Sequence, residues 1–280
     1  MREVPVSEIT RAVAKLCREA NELLPADIRR AMETALPLET SARGREILSL
    51  LLENAAAAAA EPLPICQDTG MALVFVELGQ DVHLSGGDLS DAVNAGVRDG
   101  YRRAFLRNSV VRDPLDRVNT GDNTPAVIHL TMIPGENIRL TVMPKGFGSE
   151  NMSRLVMLKP ADGPAGIKEF VVETVRLAGG NPCPPVIVGV GIGGTMEKAA
   201  LLAKTALLRP VDCRHSRAEL REMEDEILAA VNSTGIGPQG LGGRTTALAV
   251  NIEVFPTHIA GLPVAVNIGC HATRHATVTI

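Results

Sequence analysis

The chain contains almost no aromatic residues, and this feature most restricts how its interior can be packed. There is no Trp, one Tyr and five Phe among 280 residues, so the core must be built from aliphatic side chains. Alanine and glycine would then allow neighbouring backbones to approach closely. The scarcity of aromatic rings also argues against stacking on nucleic-acid bases. A net charge of −4 gives no basic surface for phosphates.

The bulk composition is typical of a globular protein, with 45% hydrophobic and 21% charged residues. No segment is apolar for long enough to cross a bilayer, and the first residues lack the pattern of a signal peptide. We therefore expect a cytoplasmic protein that contacts neither membrane nor nucleic acid. No spacer rich in Pro or Ser and no internal repeat is present, which favours one compact unit spanning residues 1–280.

Apolar residues follow helical spacing in some segments and form short strand-like runs in others. This mixture predicts an α/β fold in which short β-sheets are surrounded by α-helices. The two strands predicted at 126–133 and 137–143 are joined by a short turn, which favours a β-hairpin. Helices are predicted at residues 7–24, 26–35, 41–60, 89–107, 164–178, 195–208 and 217–231, and the remaining strands at 71–78, 186–190, 246–254 and 262–268.

Five widely spaced cysteines favour metal binding or catalysis over a set of disulfides. Cys66, Cys183 and Cys270 stand in turns or at strand ends rich in Gly, Pro or Asp. Cys17 lies beside the apolar face of a helix, and Cys213 lies in a connection between helices. Three thiolates could hold zinc with an open position, or an iron–sulfur cluster in which one iron lacks a protein ligand. The absence of a CxxC pair argues against a structural zinc site.

Residues 189–194 satisfy the GxGxxG pattern of dinucleotide-binding proteins, between a predicted strand and a predicted helix. Asp212 follows at about the expected distance, but Pro210 interrupts the segment that would have to form the second strand. Close packing of the strand against the helix is the simpler interpretation. An NAD-binding oxidoreductase remains an alternative of another class, as does a non-catalytic protein that stores or senses iron–sulfur.

Two further segments carry groups that suit a carboxylate ligand. Residues 145–151 place glycines before a predicted helix start, where backbone amides can hold an anion. Arg107, at the end of the helix predicted at 89–107, could pair with a carboxylate through its planar guanidinium. Each feature also has a structural explanation, since glycine-rich turns are common and basic residues complement the dipole at a helix C-terminus.

Five motifs occur in order and together cover nearly the whole chain. They are Ile65-Cys66-Gln67-Asp68-Thr69-Gly70, Asn119-Thr120-Gly121, the loop at 145–151, Cys183-Pro184-Pro185 followed by Ile192-Gly193-Gly194-Thr195, and Cys270. In these motifs the sequence resembles the class I, iron–sulfur-dependent fumarate hydratases, a family that includes the alpha subunit of L-tartrate dehydratase. The resemblance is specific for the family and does not choose the substrate.

The resemblance implies a 4Fe-4S cluster held by Cys66, Cys183 and Cys270, whose unligated iron binds a 2-hydroxy diacid. It implies a hydro-lyase that interconverts fumarate and L-malate, as in the tricarboxylic acid cycle, with dehydration of L-tartrate to oxaloacetate as the alternative. Matched positions make Asp68 the group that transfers a proton to or from the substrate hydroxyl. They also assign substrate-binding roles to Gln67, Arg107, Gly148 and His258, with Arg274 as a further carboxylate candidate.

Single-chain relatives continue past the third cysteine into another domain, which supplies the base that removes the carbon-bound proton. The present chain stops at Ile280. The resemblance therefore implies a separate beta subunit that completes the site, in a larger oligomer of alpha–beta pairs. On this expectation, the chain alone binds a cluster but turns over substrate poorly or not at all.

Overall fold

A computed structural model describes all residues, 1–280, and confirms the mixed α/β fold. Most predicted helices and strands occur within a few residues of their expected bounds, and four short strands were not predicted. None of the helices combines the length and the apolarity that a membrane span requires. The elements are β1 (Arg2–Pro5), α1 (Val6–Glu22), α2 (Ala26–Ala35), α3 (Ala42–Ala60), β2 (Met71–Gly79), β3 (Val82–Ser85), α4 (Leu89–Arg103), β4 (Val127–Ile133), β5 (Ile138–Lys145), α5 (Phe147–Glu150), β6 (Arg154–Leu158), α6 (Gly163–Ala178), β7 (Val186–Gly193), α7 (Met196–Ala206), α8 (Ala218–Asn232), β8 (Ala247–Phe255), β9 (Leu262–Gly269) and β10 (Ala276–Thr279).

Contacts divide the chain into two compact units, each assembled from separated stretches of sequence. Unit 1 contains residues 1–24, 55–147 and 274–280, and unit 2 contains residues 25–54 and 148–273. Two of the boundaries fall inside the helices α3 and α5. The expectation of one domain over residues 1–280 stays a prediction, and none of these boundaries coincides with a spacer in the sequence.

In unit 1, a four-stranded sheet has the strand order β10–β5–β2–β4. Strand β2 runs parallel to β4 and antiparallel to β5. The helices α1 and α4 supply Ile9, Val13, Val93 and Val97 to a core with Val74 and Val142 of the sheet. All members of this core are aliphatic except Cys17 and Tyr101, as the composition requires.

The predicted hairpin of β4 and β5 is wrong, because β2 lies between these two strands. The end of β2 enters the turn that joins them, where the Gly79 amide donates to the Asn137 carbonyl (2.9 Å). A Cβ at position 79 would lie 2.3 Å from the carbonyl oxygen of Gly135, so only glycine fits this approach. A short connection predicts that strands are close, but it does not reveal a third strand inserted between them.

In unit 2, the sheet has the strand order β6–β9–β7–β8. Strand β7 is parallel to β8, antiparallel to β9 and buried along its whole length. Its valines at 186, 188 and 190 pack with α6 and α8, while Gly189 and Gly191 face α7. A strand covered on both faces reads as a continuous apolar run, which is why β7 was recognisable in the sequence.

The GxGxxG pattern serves this packing. A Cβ at Gly189 would lie 2.2 Å from the Ala203 carbonyl oxygen, and a Cβ at Gly191 would lie 2.1 Å from that of Ala199. Any side chain at these positions would therefore force α7 away from the sheet. The structure explains the glycines by contact between backbones, without a nucleotide.

Candidate active site

Strand directions in unit 1 bring several predicted residues to one end of its sheet. Strand β2 begins there and β5 ends there, with Met71 opposite Lys145. The parallel strand β4 also begins at that end. The loop of residues 64–70, here the Cys66 loop, therefore lies beside the segments that precede β4 and follow β5.

The Asp68 carboxylate accepts two backbone amide hydrogens. Its Oδ1 accepts from the Gly70 amide and its Oδ2 accepts from the Phe147 amide, both at 2.9 Å. The helix whose start was predicted at 145–151 is only the single turn α5. Its first backbone amide, that of Phe147, donates to the Asp68 carboxylate. One amide of the predicted anion-binding loop is therefore already bound by Asp68 of the same chain, and this contact fixes the orientation of the Asp68 carboxylate.

Arg274 holds the backbone of the Cys66 loop. Its side chain is buried, and its Nη2 donates to the Asp68 carbonyl (2.7 Å) and to Asn21 Oδ1 (3.1 Å). The Asn21 carbonyl in turn accepts from the Ile65 amide (2.9 Å). The Arg274 guanidinium therefore binds the backbone of the Cys66 loop in unit 1. The sequence analysis named Arg274 only as a further carboxylate candidate and did not predict this contact.

Thr69 fastens Arg107 to the same loop. The Arg107 amide donates to Thr69 Oγ1 (2.9 Å), and the buried Tyr101 hydroxyl donates to the Thr69 carbonyl (2.7 Å). Helix α4 ends at Arg103, four residues earlier than predicted, because Phe105 adopts a left-handed conformation with φ +52°. The Arg107 guanidinium is exposed and forms no hydrogen bond or ion pair within the chain. Gln67 is likewise exposed.

Strand directions in unit 2 bring Cys183 and Cys270 together. Cys183 precedes β7 and Cys270 follows β9, and these antiparallel strands place Ile187 opposite Gly269. The loop of residues 181–185, the Cys183 loop, and the turn of residues 270–273, the Cys270 turn, are joined by the His271 amide, which donates to the Cys183 carbonyl (3.3 Å).

None of the five cysteines forms a disulfide, and their thiols differ in how deeply they are buried. Cys17 is fully buried, and burial raises the pKa of its thiol to about 12, so it stays protonated and is a poor ligand. This confirms Cys17 as a packing residue. Cys66 and Cys270 are half-buried, and Cys183 and Cys213 are exposed. In addition, Cys183 has a φ of +56°, a strained conformation for a residue with a side chain.

The soft donor chemistry of Cys66, Cys183 and Cys270 suits iron or zinc. Cys66 belongs to unit 1, and the other two belong to unit 2. Nowhere in the chain are three or more Cys, His, Asp or Glu side chains close enough together to hold a metal ion. The donor chemistry therefore fits an iron–sulfur cluster, and within unit 2 a backbone hydrogen bond joins the Cys183 loop to the Cys270 turn.

Gly148 and His258 lie at different places in unit 2. A Cβ at Gly148 would lie 3.6 Å from the Asn181 carbonyl oxygen, so Gly148 is next to the Cys183 loop. His258 lies between β8 and β9, and its Nδ1 accepts from the Ala260 amide (3.2 Å). The eight residues of β9, about 26 Å of extended strand, lie between the loop that carries His258 and the Cys270 turn. The structure does not bring His258 to the cysteines of its own unit.

Sequence reasoning missed two polar networks in unit 2. Glu150 forms an ion pair with Lys204 and accepts from Asn267 Nδ2 (2.8 Å). Burial lowers the pKa of Lys204, and Glu150 partly opposes this shift. The second network is centred on Gln239 and is described below. Glu150 lies within a motif and could have been noticed, whereas nothing in the spacing points to Lys204.

Comparison with known proteins agrees with the arrangement of these motifs. The family model described as fumarate hydratase (Fumerase) matches residues 10–279. The chain is 43% identical over 275 residues to the putative L(+)-tartrate dehydratase subunit alpha of Methanocaldococcus jannaschii, covering 96% of each chain. It is 33% identical over 283 residues to the L(+)-tartrate dehydratase subunit alpha of Escherichia coli K12, covering all of this chain and 93% of that one. The chain therefore belongs to the fumarate hydratase (Fumerase) family.

Proposed function

We propose that the chain is the alpha subunit of a two-subunit hydro-lyase that acts on a four-carbon 2-hydroxy dicarboxylate. Membership of the fumarate hydratase family supports the hydro-lyase activity. The designation "subunit alpha" in the names of relatives supports a partner subunit. The observation that carries the proposal is that one sheet end in each unit gathers the motif residues: Cys66, Asp68 and Arg107 in unit 1, and Cys183, Cys270 and Gly148 in unit 2.

The proposed cofactor is a 4Fe-4S cluster with Cys66, Cys183 and Cys270 as its protein ligands. These are the thiols that stand at strand ends, are at least partly accessible and belong to the family motifs. A cluster with one iron free of protein ligands supplies a Lewis acid for the substrate hydroxyl, whose departure as hydroxide is otherwise unfavourable.

The residues of the chain itself would orient the substrate and move a proton. Arg107, with its exposed and unpaired guanidinium, suits a substrate carboxylate. Asp68, whose carboxylate is fixed by two amides, is assigned to proton transfer at the hydroxyl. Gln67 and Gly148 would supply further polar contacts. His258 completes the assigned set, although its position at the far end of β9 separates it from Cys270.

Two substrates fit this proposal. Fumarate and L-malate are favoured by the family description, and L-tartrate is favoured by the names of the relatives. The two hydroxy acids differ by one hydroxyl, which a single polar contact can distinguish. The base that removes the carbon-bound proton is assigned to the partner subunit.

The test is anaerobic reconstitution of the chain with iron and sulfide, followed by addition of the partner subunit and assay with L-malate and L-tartrate. We expect about four irons per chain and activity only in the complex. Asp68→Asn should retain iron and lose activity. Binding of NAD without iron, or a loaded complex inactive on both substrates, would contradict the proposal.

A further inference from the structure

The Cys183 loop and the Cys270 turn are connected by a side chain that lies outside the family motifs. This side chain is Gln239, in the loop of residues 233–246 between α8 and β8, here the Gln239 loop. Because β8 is parallel to β7, with Val186 opposite Ala247, this loop arrives at the same end of the unit 2 sheet as the Cys183 loop.

Gln239 binds the Cys183 loop twice. Its backbone amide and its side-chain Nε2 both donate to the Pro184 carbonyl oxygen, each at 2.8 Å. A carbonyl oxygen only accepts, so this contact requires the amide nitrogen of the side chain to face Pro184. Gln239 therefore supplies two hydrogen-bond donors to the carbonyl oxygen of Pro184, the residue directly after Cys183.

The second hydrogen of Gln239 Nε2 points toward the Cys270 turn, where His271 Nδ1 lies 3.2 Å away. His271 Nδ1 is also 3.1 Å from the Cys183 carbonyl oxygen, to which the His271 backbone amide donates. With its hydrogen on Nε2, the imidazole accepts at Nδ1 from Gln239, and with its hydrogen on Nδ1 it donates to the Cys183 carbonyl instead. One glutamine side chain thus contacts the neighbours of two cysteines.

The Gln239 loop is itself held firmly. The buried Glu39 carboxylate accepts from the amides of Arg244 (2.8 Å) and Thr245 (2.7 Å). Thr246 Oγ1 accepts from the Gly237 amide (3.1 Å). Gln239 has a φ of +53°, a left-handed conformation that the surrounding contacts must sustain. The glutamine is therefore presented by a rigid support.

We propose that Gln239 is a positioning residue that holds the Cys183 loop and the Cys270 turn at a fixed separation for a metal cluster. The inference rests on the proposed function, because it takes Cys183 and Cys270 as ligands. Groups that orient metal ligands from behind commonly change metal affinity by about 10-fold to 100-fold when removed. Gln239 would act on cluster retention without touching substrate.

The test variant is Gln239→Met, which keeps the length of the side chain, removes the Nε2 donor and leaves the backbone amide of residue 239 in place. The 280-residue chain is reconstituted anaerobically, and loss of visible absorbance is followed after adding an iron chelator. We expect the variant to lose iron about tenfold faster than the wild type, with an altered electron paramagnetic resonance spectrum of the reduced cluster. Gln80→Met is the matched control, since Gln80 is exposed and its side chain forms no hydrogen bond.

A wild-type rate of iron loss and an unchanged spectrum for Gln239→Met would overturn the inference. Cys183→Ser is measured alongside, and retention of iron by that variant would instead overturn the proposed function. If Gln239→Met does not fold, His271→Leu provides a second test, because it removes the imidazole on the Cys270 turn and leaves the Gln239–Pro184 contacts intact. Faster iron loss in His271→Leu supports the inference, and an unchanged rate contradicts it.

Discussion

The Cys66 loop in unit 1 and the Cys183 loop in unit 2 both carry a cysteine just before a central strand, yet they are fixed by different chemistry. The Cys66 loop is held by charged groups, the Asp68 carboxylate on backbone amides and the Arg274 guanidinium on a backbone carbonyl. The Cys183 loop is held by a neutral amide from Gln239. The charged group of that region, Glu39, acts indirectly, because its carboxylate binds the Gln239 loop rather than the Cys183 loop.

The two loops should therefore respond differently when the hydrogen bonds that hold them are removed. Hydrogen bonds to charged, buried groups are strong, and leaving one partner without the other is costly. Neutral hydrogen bonds at half-buried positions contribute less to folding. Contacts around Cys66 are therefore expected to affect the stability of unit 1, whereas contacts around Cys183 should chiefly affect how well the thiol is positioned.

The largest expected effect is common to both loops. Each of Cys66→Ser, Cys183→Ser and Cys270→Ser should abolish retention of iron, because each removes one of three proposed ligands. The measurement is iron and sulfide per chain after anaerobic reconstitution. Cys17→Ala and Cys213→Ser are the controls and should retain the wild-type amount. Equal loss in all five variants would contradict the division of the thiols.

Charged fixation of the Cys66 loop is tested by Arg274→Met. This change leaves the Asp68 carbonyl and Asn21 Oδ1 without their buried donor, so the free energy of unfolding should fall by about 4 kcal/mol, which is about 2 kcal/mol for each unsatisfied acceptor. Urea unfolding of the chain without metal measures it. Gln239→Met is the comparison and should cost about 1 kcal/mol. A larger loss for the glutamine variant would reverse the comparison of the two loops.

Glu39 should make stability depend on pH. Burial raises the pKa of its carboxyl, but the amides of Ser41, Arg244 and Thr245 outweigh this and lower the pKa from 4.5 to about 2. A lowered pKa in the folded state stabilises the protein above the ordinary pKa, and this contribution is lost as the pH falls from about 4.5 through about 2. At neutral pH it is worth about 3 kcal/mol.

Glu39→Gln removes this titration. Urea unfolding should show the variant to be about 3 kcal/mol less stable than the wild type at neutral pH, and the gap should narrow as the pH falls below 4.5, the ordinary pKa of the group. A difference in stability that stays constant down to pH about 3 would show that the carboxylate charge is not responsible.

The smallest expected effect belongs to Tyr101. Its buried hydroxyl donates to the carbonyls of Thr69 (2.7 Å) and Gly70 (3.2 Å), and Tyr101→Phe removes the hydroxyl that makes these hydrogen bonds. The free energy of unfolding should fall by about 1 kcal/mol. Retention of iron should not change, since the remaining contacts still hold the Cys66 loop. A loss of stability similar to that of Arg274→Met would show that the hydroxyl holds the Cys66 loop as strongly as the guanidinium does.

The sequence predicted those features that depend on neighbouring residues. Helix α2 was expected at its observed bounds because the signal that ends it, Leu36-Pro37, directly follows it in the sequence. The Cys66 loop was recognised because its thiol, carboxylate and glycine lie within one motif. The glycines of β7 were interpreted correctly as packing residues because Pro210 interrupts the nucleotide-binding alternative.

What the sequence could not reveal depends on which strand ends meet. Gln239 lies 55 residues from Pro184, and only the parallel pairing of β7 and β8 brings them together. The hairpin prediction for β4 and β5 failed because β2 enters between them. His258 precedes Cys270 by a short stretch of chain, but that stretch is an extended strand, which separates residues far more than a helix of equal length.

The order in which the chain builds unit 1 has a consequence for its synthesis. Strand β10 completes the sheet beside β5, and Arg274 reaches the Cys66 loop, only after residues 274–280 have been added. Pairings between such distant parts of a chain form slowly and leave strand edges open in the meantime. A nascent polypeptide stalled on the ribosome before residue 274 should therefore remain sensitive to protease across unit 1, and resistance at that stage would show that the unit matures without its C-terminal strand.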